Sequence, residues 1–164
     1  MDRILAGTNA IIKSIGTASA WLNVVLVLLI CIDVLMRYLL NQSFNWVIEL
    51  EWHIFGLIFL LGSAYTLQKD KHVRVDIFYN DFSEKKKALV NLLGSISLLI
   101  PWCIIAILTC TKYASNSFYI KENSPNPGGL PAMYVIKYFI VLGFILLLLQ
   151  GVVIIIQQIK TLVR

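Results

Sequence analysis

Charged residues are scarce in this sequence. Only 14% of the 164 residues are Asp, Glu, Lys or Arg, whereas 59% are hydrophobic. Soluble domains contain about 25% charged and about 45–50% apolar residues, and a small domain leaves much of its surface in contact with water. This composition excludes an ordinary soluble fold. The chain length leaves room for roughly four membrane crossings of some 20 apolar residues each.

Cysteine and histidine are also rare. The three cysteines, Cys31, Cys103 and Cys110, fall within apolar segments, and no pair has the spacing of a metal or redox motif. We interpret them as small buried hydrophobic residues. His53 is the only histidine in an apolar segment, so two axial ligands for a membrane haem are lacking. These shortages exclude a thiol oxidase and a haem-binding subunit, and we expect no catalytic residue, cofactor or metal site in this chain.

Long apolar runs are the main feature that the sequence does contain. They predict an all-α integral membrane protein with short interfacial helical segments and four transmembrane helices, at about 18–40, 46–67, 88–111 and 132–158. One interfacial helix is expected at 1–16. Pro101 predicts a kink in the third span, and Pro131 is expected in the first turn of the fourth. We predict that 1–164 is a single membrane domain.

Lys and Arg residues are concentrated on one side of these helices. The loop at 68–87 and the two ends of the chain contain Arg3, Lys13, Lys69, Lys71, Arg74, Lys85, Lys86, Lys87, Lys160 and Arg164. The opposite side has only Lys112, Lys121 and Lys137, with Arg37 approaching it. Because segments rich in Lys and Arg stay in the cytoplasm, both termini and 68–87 are predicted to be cytoplasmic, and the loop at 112–131 periplasmic.

Several polar side chains lie near the periplasmic ends of the first two spans. Asp33 and Arg37 are four residues apart, so they share a helical face and can form an ion pair. This pair either anchors the span or faces a partner protein. Glu49 and His53 have the same spacing, whereas Glu51 points roughly to the other side. Proton transfer through the membrane needs an acid at greater depth, so we interpret Glu49 and His53 as an interfacial or subunit contact.

The second span also has features typical of contact between membrane helices. Gly56 and Ser63, seven residues apart, give it a strip of small residues where another helix can approach closely. Trp46 and Trp52 lie at its entrance. We treat these four residues, together with Asp33, Arg37, Glu49 and His53, as candidates for contact with a partner.

The residues favour an accessory subunit of a larger membrane complex. Asp33 is the acid nearest to the middle of the membrane, but Arg37 is placed to neutralise it. A small transporter is expected to contain an internal repeat or broken helices, and here we find no repeat and only Pro101 as a break. The alternative, a self-contained four-helix transporter or channel that acts as a homo-oligomer, stays open. An enzyme is the least supported class.

Three stretches of the chain resemble a known family. They are Asp33-x-x-x-Arg37-Tyr38, the run ELEWHIFGLIFLLGSAYTLQKDKHVRVDIFY at 49–79, and the run ENSPNPGGLPAMYVIKYFIVLGFILLLLQG at 122–151. In this order they resemble the small membrane subunit of tripartite ATP-independent periplasmic (TRAP) transporters, over nearly the whole chain. The HVRVD run and the PGGLP run are the most specific parts.

The resemblance implies a function and a set of partners. In this family the small subunit packs against the static scaffold of a large membrane subunit, which holds the substrate and sodium sites. It also helps to form the surface on which a soluble periplasmic substrate-binding protein docks, and the cargo is usually an organic acid carried inward with sodium. We therefore expect a location in the bacterial inner membrane, contact with membrane lipid, and no nucleic-acid partner.

The resemblance also assigns expected roles to particular residues. Arg37 matches the basic residue of the docking surface, and Glu49, Trp52 and His53 are candidates for contacts within the complex. Four charged residues are expected to brace the cytoplasmic ends of the helices: Asp70, His72, Arg74 and Asp76. In the periplasmic loop the residues that match the family pattern are Glu122, Pro125, Pro127, Gly128, Gly129 and Pro131.

Overall fold

Four long helices make up the computed structural model, which describes residues 2–69 and 82–163. They are α1 (Asp2–Leu39), α2 (Asn45–Gln68), α3 (Glu84–Tyr119) and α4 (Tyr134–Val163). All four are long and apolar enough to cross a membrane. The predicted all-α architecture with four membrane helices is thereby confirmed. The predicted bracing residues lie outside the described residues: Asp70, His72, Arg74 and Asp76.

The interfacial segment predicted at 1–16 is not a separate helix but the beginning of α1. Gly16 does not end the helix, because tertiary packing compensates for its weak helix propensity. A Cβ atom at Gly16 would lie 2.3 Å from Tyr65 Cβ, so the missing side chain lets α1 lie close to α2. The buried core next to this contact consists of Ile12, Ala64 and Leu146.

α3 is interrupted near its middle by a π-helical turn. It consists of an α-helix at Glu84–Gly94, a π-helix at Ser95–Leu99 and a second α-helix at Ile100–Tyr119. Pro101 follows directly and has no N–H group to donate to the preceding turn. The irregularity beside Pro101 is a π-helical turn, a feature that occurs mostly as single turns inside α-helices. The predicted kink at Pro101 stays a prediction.

The start of α4 differs from the prediction. The sequence predicts Pro131 in the first turn of the last helix, but the helix begins at Tyr134. Ala132 has a φ of 59°, and this left-handed conformation, which costs an L-residue about 1–2 kcal/mol, cannot continue into a right-handed helix. The prediction for Pro131 is wrong because hydrogen bonds of the preceding loop fix the backbone there. One of them joins the Ala132 N–H to Asn123 Oδ1 at 3.1 Å.

α4 is the central helix of the bundle and packs against α1, α2 and α3. Two glycines allow close approach: a Cβ atom at Gly143 would lie 3.1 Å from Leu60 Cβ, and one at Gly151 would lie 2.9 Å from Leu99 Cδ2. Small residues at such crossings are typical of membrane helices. Gly56 behaves differently, since a Cβ atom there would meet no atom within 4 Å. The predicted small-residue strip is therefore not a crossing within the described chain.

The outer faces of the helices are strongly apolar. Trp21 and Phe59 are each 70% exposed, and Leu98 is 72% exposed. Because lipid tails are as apolar as leucine, such exposure carries no hydrophobic penalty inside a bilayer. The prediction of buried cysteines is confirmed for Cys103 and is wrong for Cys31, which is exposed on this apolar surface. The chain is a multi-pass membrane protein.

The connections define two different ends of the bundle. We call the end with residues 40–44 and 120–133 the loop end; there, Asn45 Nδ2 donates to the Pro127 carbonyl oxygen at 2.9 Å. At the opposite end, the terminal end, Gln68 Nε2 donates to Asn9 Oδ1 at 2.8 Å. The N-terminal part of α1 and the C-terminal part of α4 both lie at the terminal end. The assignment of that end to the cytoplasm stays a prediction.

Candidate functional site

The carboxylate of Glu49 organises the loop end. Glu49 lies near the start of α2 and is only 3% exposed. Its Oε1 accepts hydrogen bonds from Ser124 Oγ and, at 2.8 Å, from Asn126 Nδ2. Its Oε2 accepts from the Leu130 N–H at 2.6 Å. A buried carboxylate needs such donors to replace its lost hydration, and all of these donors belong to the loop at 120–133.

The backbone of this loop is also bonded to itself. The Ser124 N–H donates to the Leu130 carbonyl oxygen at 3.0 Å, and the Gly129 N–H donates to the Asn126 carbonyl oxygen, also at 3.0 Å. The Met133 N–H donates to the Glu122 carbonyl oxygen at 2.9 Å, which joins the two ends of the loop. The loop is therefore compact, and these backbone hydrogen bonds hold its two sides together.

Two glycines explain why the PGGLP run is needed in this loop. Gly128 has a φ of 68°, a conformation that glycine adopts at no steric cost. Gly129 lies directly beneath the Glu49 carboxylate, and a Cβ atom there would lie 2.4 Å from Ser124 Oγ and 2.8 Å from Glu49 Oε1. The three prolines of this loop are exposed: Pro125, Pro127 and Pro131.

A second interaction fixes the end of α3. Lys137, near the start of α4, is 7% exposed. Its Nζ lies 2.5 Å from Glu122 Oε2 and 4.0 Å from the centroid of the Tyr113 ring. The Glu122 N–H donates to the Ser117 carbonyl oxygen at 3.0 Å. The hydrogen bond from the Lys137 ammonium holds the pKa of the Glu122 carboxyl below its ordinary value, so the pair is ionised at neutral pH.

The predicted ion pair between Asp33 and Arg37 is present, and a third charge lies near it. Arg37 Nη2 is 2.5 Å from Asp33 Oδ2; the Asp33 side chain is 6% exposed and that of Arg37 is 48% exposed. Glu51, on α2, is within electrostatic range of both. Its Oε1 is buried without a hydrogen-bond partner among the described residues. Sequence reasoning missed this three-residue cluster, although Glu51 was placed correctly on a different face from Glu49.

His53 does not pair with the Glu49 carboxylate. Its Nδ1–H donates to the Glu49 carbonyl oxygen at 2.5 Å, and its ring centroid lies 4.6 Å from that of Trp52. The Glu49 carboxylate accepts its hydrogen bonds from the loop at 120–133, so the structure shows no hydrogen bond between the side chains of Glu49 and His53. Their interpretation as an interfacial or subunit contact stays a prediction.

The other candidate residues on α2 lie at its surface or within the helix. Trp46 is 44% exposed and Trp52 is 52% exposed. Ser63 Oγ donates to the Leu60 carbonyl oxygen at 2.8 Å, within the same helix. No group of His, Cys, Asp and Glu that could hold a metal ion occurs in residues 2–69 and 82–163. Contact of these residues with a partner stays a prediction.

These observations define a helical multi-pass membrane protein whose loop end contains two ion pairs, Asp33 with Arg37 and Lys137 with Glu122, beside the hydrogen-bonded carboxylate of Glu49. In comparisons with known proteins, residues 26–161 match the model of the family described as tripartite ATP-independent periplasmic transporters, DctQ component. The chain belongs to this family, and it is the small membrane subunit of a TRAP transporter. No curated protein and no solved structure matched it. The resemblance inferred from the sequence is confirmed.

Replacing Glu49 by glutamine tests the link between α2 and the loop. Glutamine has the same shape but turns one acceptor oxygen into a donor, which then faces another donor. Loss of charge-assisted hydrogen bonds costs about 1.5–3 kcal/mol, so amide hydrogen exchange in the loop at 120–133 is expected to accelerate by about tenfold or more.

The matched control is Glu84→Gln. The side chain of Glu84 is 84% exposed at the other end of the bundle, and its replacement is expected to leave exchange in the loop unchanged. Equal exchange rates in the Glu49→Gln variant and the unmodified protein would contradict the role given to Glu49.

Proposed function

We propose that this chain packs against the static scaffold of the large TRAP membrane subunit and helps to form the docking surface for the periplasmic substrate-binding protein. The whole transporter takes up an organic acid together with sodium across the bacterial inner membrane, and the sodium and substrate sites lie in the large subunit. The family match over residues 26–161 is the observation that carries this proposal.

An exposed stripe on α2 supports packing against a large membrane partner. Ile48, Trp52, Phe55 and Phe59 recur at helical spacing, and their exposure rises along the helix to 62% at Phe55 and 70% at Phe59. Gly56 lies beside them with open space at its missing Cβ atom. Aromatic residues around a glycine allow the backbone of another helix to come close and be covered by flat side chains.

The loop end supports the docking role. Tyr119 is 80% exposed and Ile120 is 72% exposed, next to an open cleft of about 520 Å³ that is also lined by Lys121 and Pro131. Exposed aromatic residues at a surface that faces water are typical of protein interfaces. The hydrogen bonds of Glu49 hold this surface in one shape, which lowers the conformational entropy lost on docking.

Asp33, Lys137 and Glu49 are engaged by partners within the chain, and this favours the accessory function over a self-contained transporter. Glu51, whose Oε1 has no hydrogen-bond partner among the described residues, lies within electrostatic range of Arg37. Asp33 is neutralised by Arg37, and Lys137 is neutralised by Glu122. The Glu49 carboxylate accepts three hydrogen bonds from donors of its own chain. A transported ion would have to displace one of these partners, so these groups are better suited to holding a scaffold than to forming a path.

Co-purification tests assembly with the large subunit. We expect the tagged chain, purified from its native membranes, to carry a large multi-pass membrane protein in a stable complex. Gly56→Leu is expected to reduce the amount of that partner by about tenfold, because the new side chain lies in the proposed contact. The isolated chain should keep its thermal unfolding midpoint, since a Cβ atom at Gly56 meets nothing within 4 Å.

Gly7→Leu is the matched control. A Cβ atom at Gly7 also meets nothing within 4 Å, but Gly7 lies at the terminal end of α1, away from the α2 stripe. This variant is expected to co-purify normally. Equal partner yields for the two variants would contradict the proposed contact, and purification of the chain alone would contradict the accessory role itself.

Docking of the binding protein is tested by removing the charges of Asp33 and Arg37 together. Removing Arg37 alone would leave the buried Asp33 carboxylate unpaired, which is strongly destabilising. The double variant Asp33→Asn/Arg37→Gln avoids this. With the binding protein limiting, we expect uptake to fall several-fold, because a lost surface charge slows association. The membrane complex should still co-purify.

The control for this experiment is a double variant with two exposed lysines at the other end of the bundle, Lys85→Gln/Lys86→Gln. It is expected to leave uptake unchanged. If the Asp33→Asn/Arg37→Gln complex takes up substrate at the normal rate with limiting binding protein, Arg37 has no docking role.

A further inference from the structure

A polar cavity lies at the terminal end of the bundle, between α1, α2 and α4. Its volume is about 340 Å³, and its polar lining residues are Asn9, Lys13, Gln68, Lys69, Gln150 and Gln157. Pockets that bind small molecules have volumes of about 300–1,000 Å³. Among the described residues, the lining contains two lysines and no carboxylate, so an anion bound there would lie beside positive charge.

Gln150 is the most informative residue of this cavity. It interrupts the apolar sequence of α4 and is only 1% exposed. Its Oε1 is buried and has no hydrogen-bond partner among the described residues. A buried acceptor without a donor is unfavourable, and apolar residues fill the neighbouring positions of the helix. The unpaired oxygen therefore points to a ligand that supplies a hydrogen-bond donor.

The remaining polar groups form the walls of the cavity. Gln68 Nε2 donates to the Asn9 carbonyl oxygen at 2.9 Å and to Asn9 Oδ1 at 2.8 Å, so these two amides hold α1 and α2 together. Lys13 and Lys69 are exposed on either side. Lys69 Nζ lies 5.6 Å from the centroid of the Tyr65 ring, a contact that leaves its N–H groups free to donate to an anion.

We propose that this cavity binds the headgroup of an anionic phospholipid with free hydroxyl groups, of the phosphatidylglycerol type. The phosphodiester accepts hydrogen bonds from Lys13 and Lys69, and a headgroup hydroxyl donates to Gln150 Oε1. An ethanolamine headgroup suits the cavity less well, because its ammonium would lie beside two lysines. Basic side chains at the ends of membrane helices attract anionic lipid headgroups.

The proposal is tested on the full-length chain, purified in detergent and stripped of lipid. Phosphatidylglycerol, phosphatidylethanolamine and free glycerol phosphate are added separately, and bound ligand is counted by native mass spectrometry. We expect one phosphatidylglycerol to bind at least tenfold more tightly than phosphatidylethanolamine. Lys13→Gln/Lys69→Gln is expected to remove this preference. Gln150→Leu, which replaces the amide group by an apolar group of similar size, is expected to weaken binding of phosphatidylglycerol severalfold.

Two controls keep the result specific. Gln158→Leu changes a glutamine of the same helix that does not line the cavity, and Lys85→Gln/Lys86→Gln removes two exposed lysines outside it; both should bind phosphatidylglycerol normally. Equal binding of the two lipids, or unchanged binding by the Lys13→Gln/Lys69→Gln variant, would overturn the proposal. Equally tight binding of free glycerol phosphate would overturn the lipid assignment, since the acyl chains would then contribute nothing.

Discussion

A carboxylate buried at the start of a membrane helix has to be surrounded by hydrogen-bond donors, and this constraint shapes one whole end of the molecule. The donors for Glu49 come from Ser124, Asn126 and Leu130, far along the chain. They can reach it only if the connection between α3 and α4 folds back over the start of α2. The close approach in turn requires glycine at position 129. One interaction thus links α2 with the loop and, through it, with the helices on both sides.

The two ends of the bundle differ in chemistry as a consequence. At the loop end, Lys137 is paired with Glu122 and Asp33 with Arg37, and the hydrogen bonds of Glu49 hold the surface in one shape. At the terminal end, the polar cavity is lined by two lysines and by Gln150, whose amide oxygen has no hydrogen-bond partner among the described residues. Between them lie apolar helices with exposed faces. A rigid body of this kind suits the proposed scaffold role, with its protein contacts at one end and along α2, and its lipid contact at the other.

Sequence reasoning predicted the features that depend on neighbouring residues. The apolar runs predicted the four helices, and the spacing of Asp33 and Arg37 predicted their ion pair. Both features depend only on the local sequence and on helical geometry. The partners of Glu49 were not predictable in this way, since they are set by the folding of a distant loop. The glycines at the helix crossings were not predictable either, because a crossing depends on how distant helices pack. Gly16 and Gly143 lie at crossings, and Gly56 does not. Pro131 was misplaced because Ala132 adopts an unusual backbone conformation.

The most direct test of the central claim, that this chain is an accessory scaffold, is substrate uptake by vesicles reconstituted from purified components. Vesicles would contain this chain alone, the large membrane subunit alone, or both, with the binding protein and a sodium gradient supplied in each case. The scaffold role predicts full uptake only with both membrane subunits and none with this chain alone. Sodium-driven uptake by vesicles that contain this chain as their only membrane protein would contradict it.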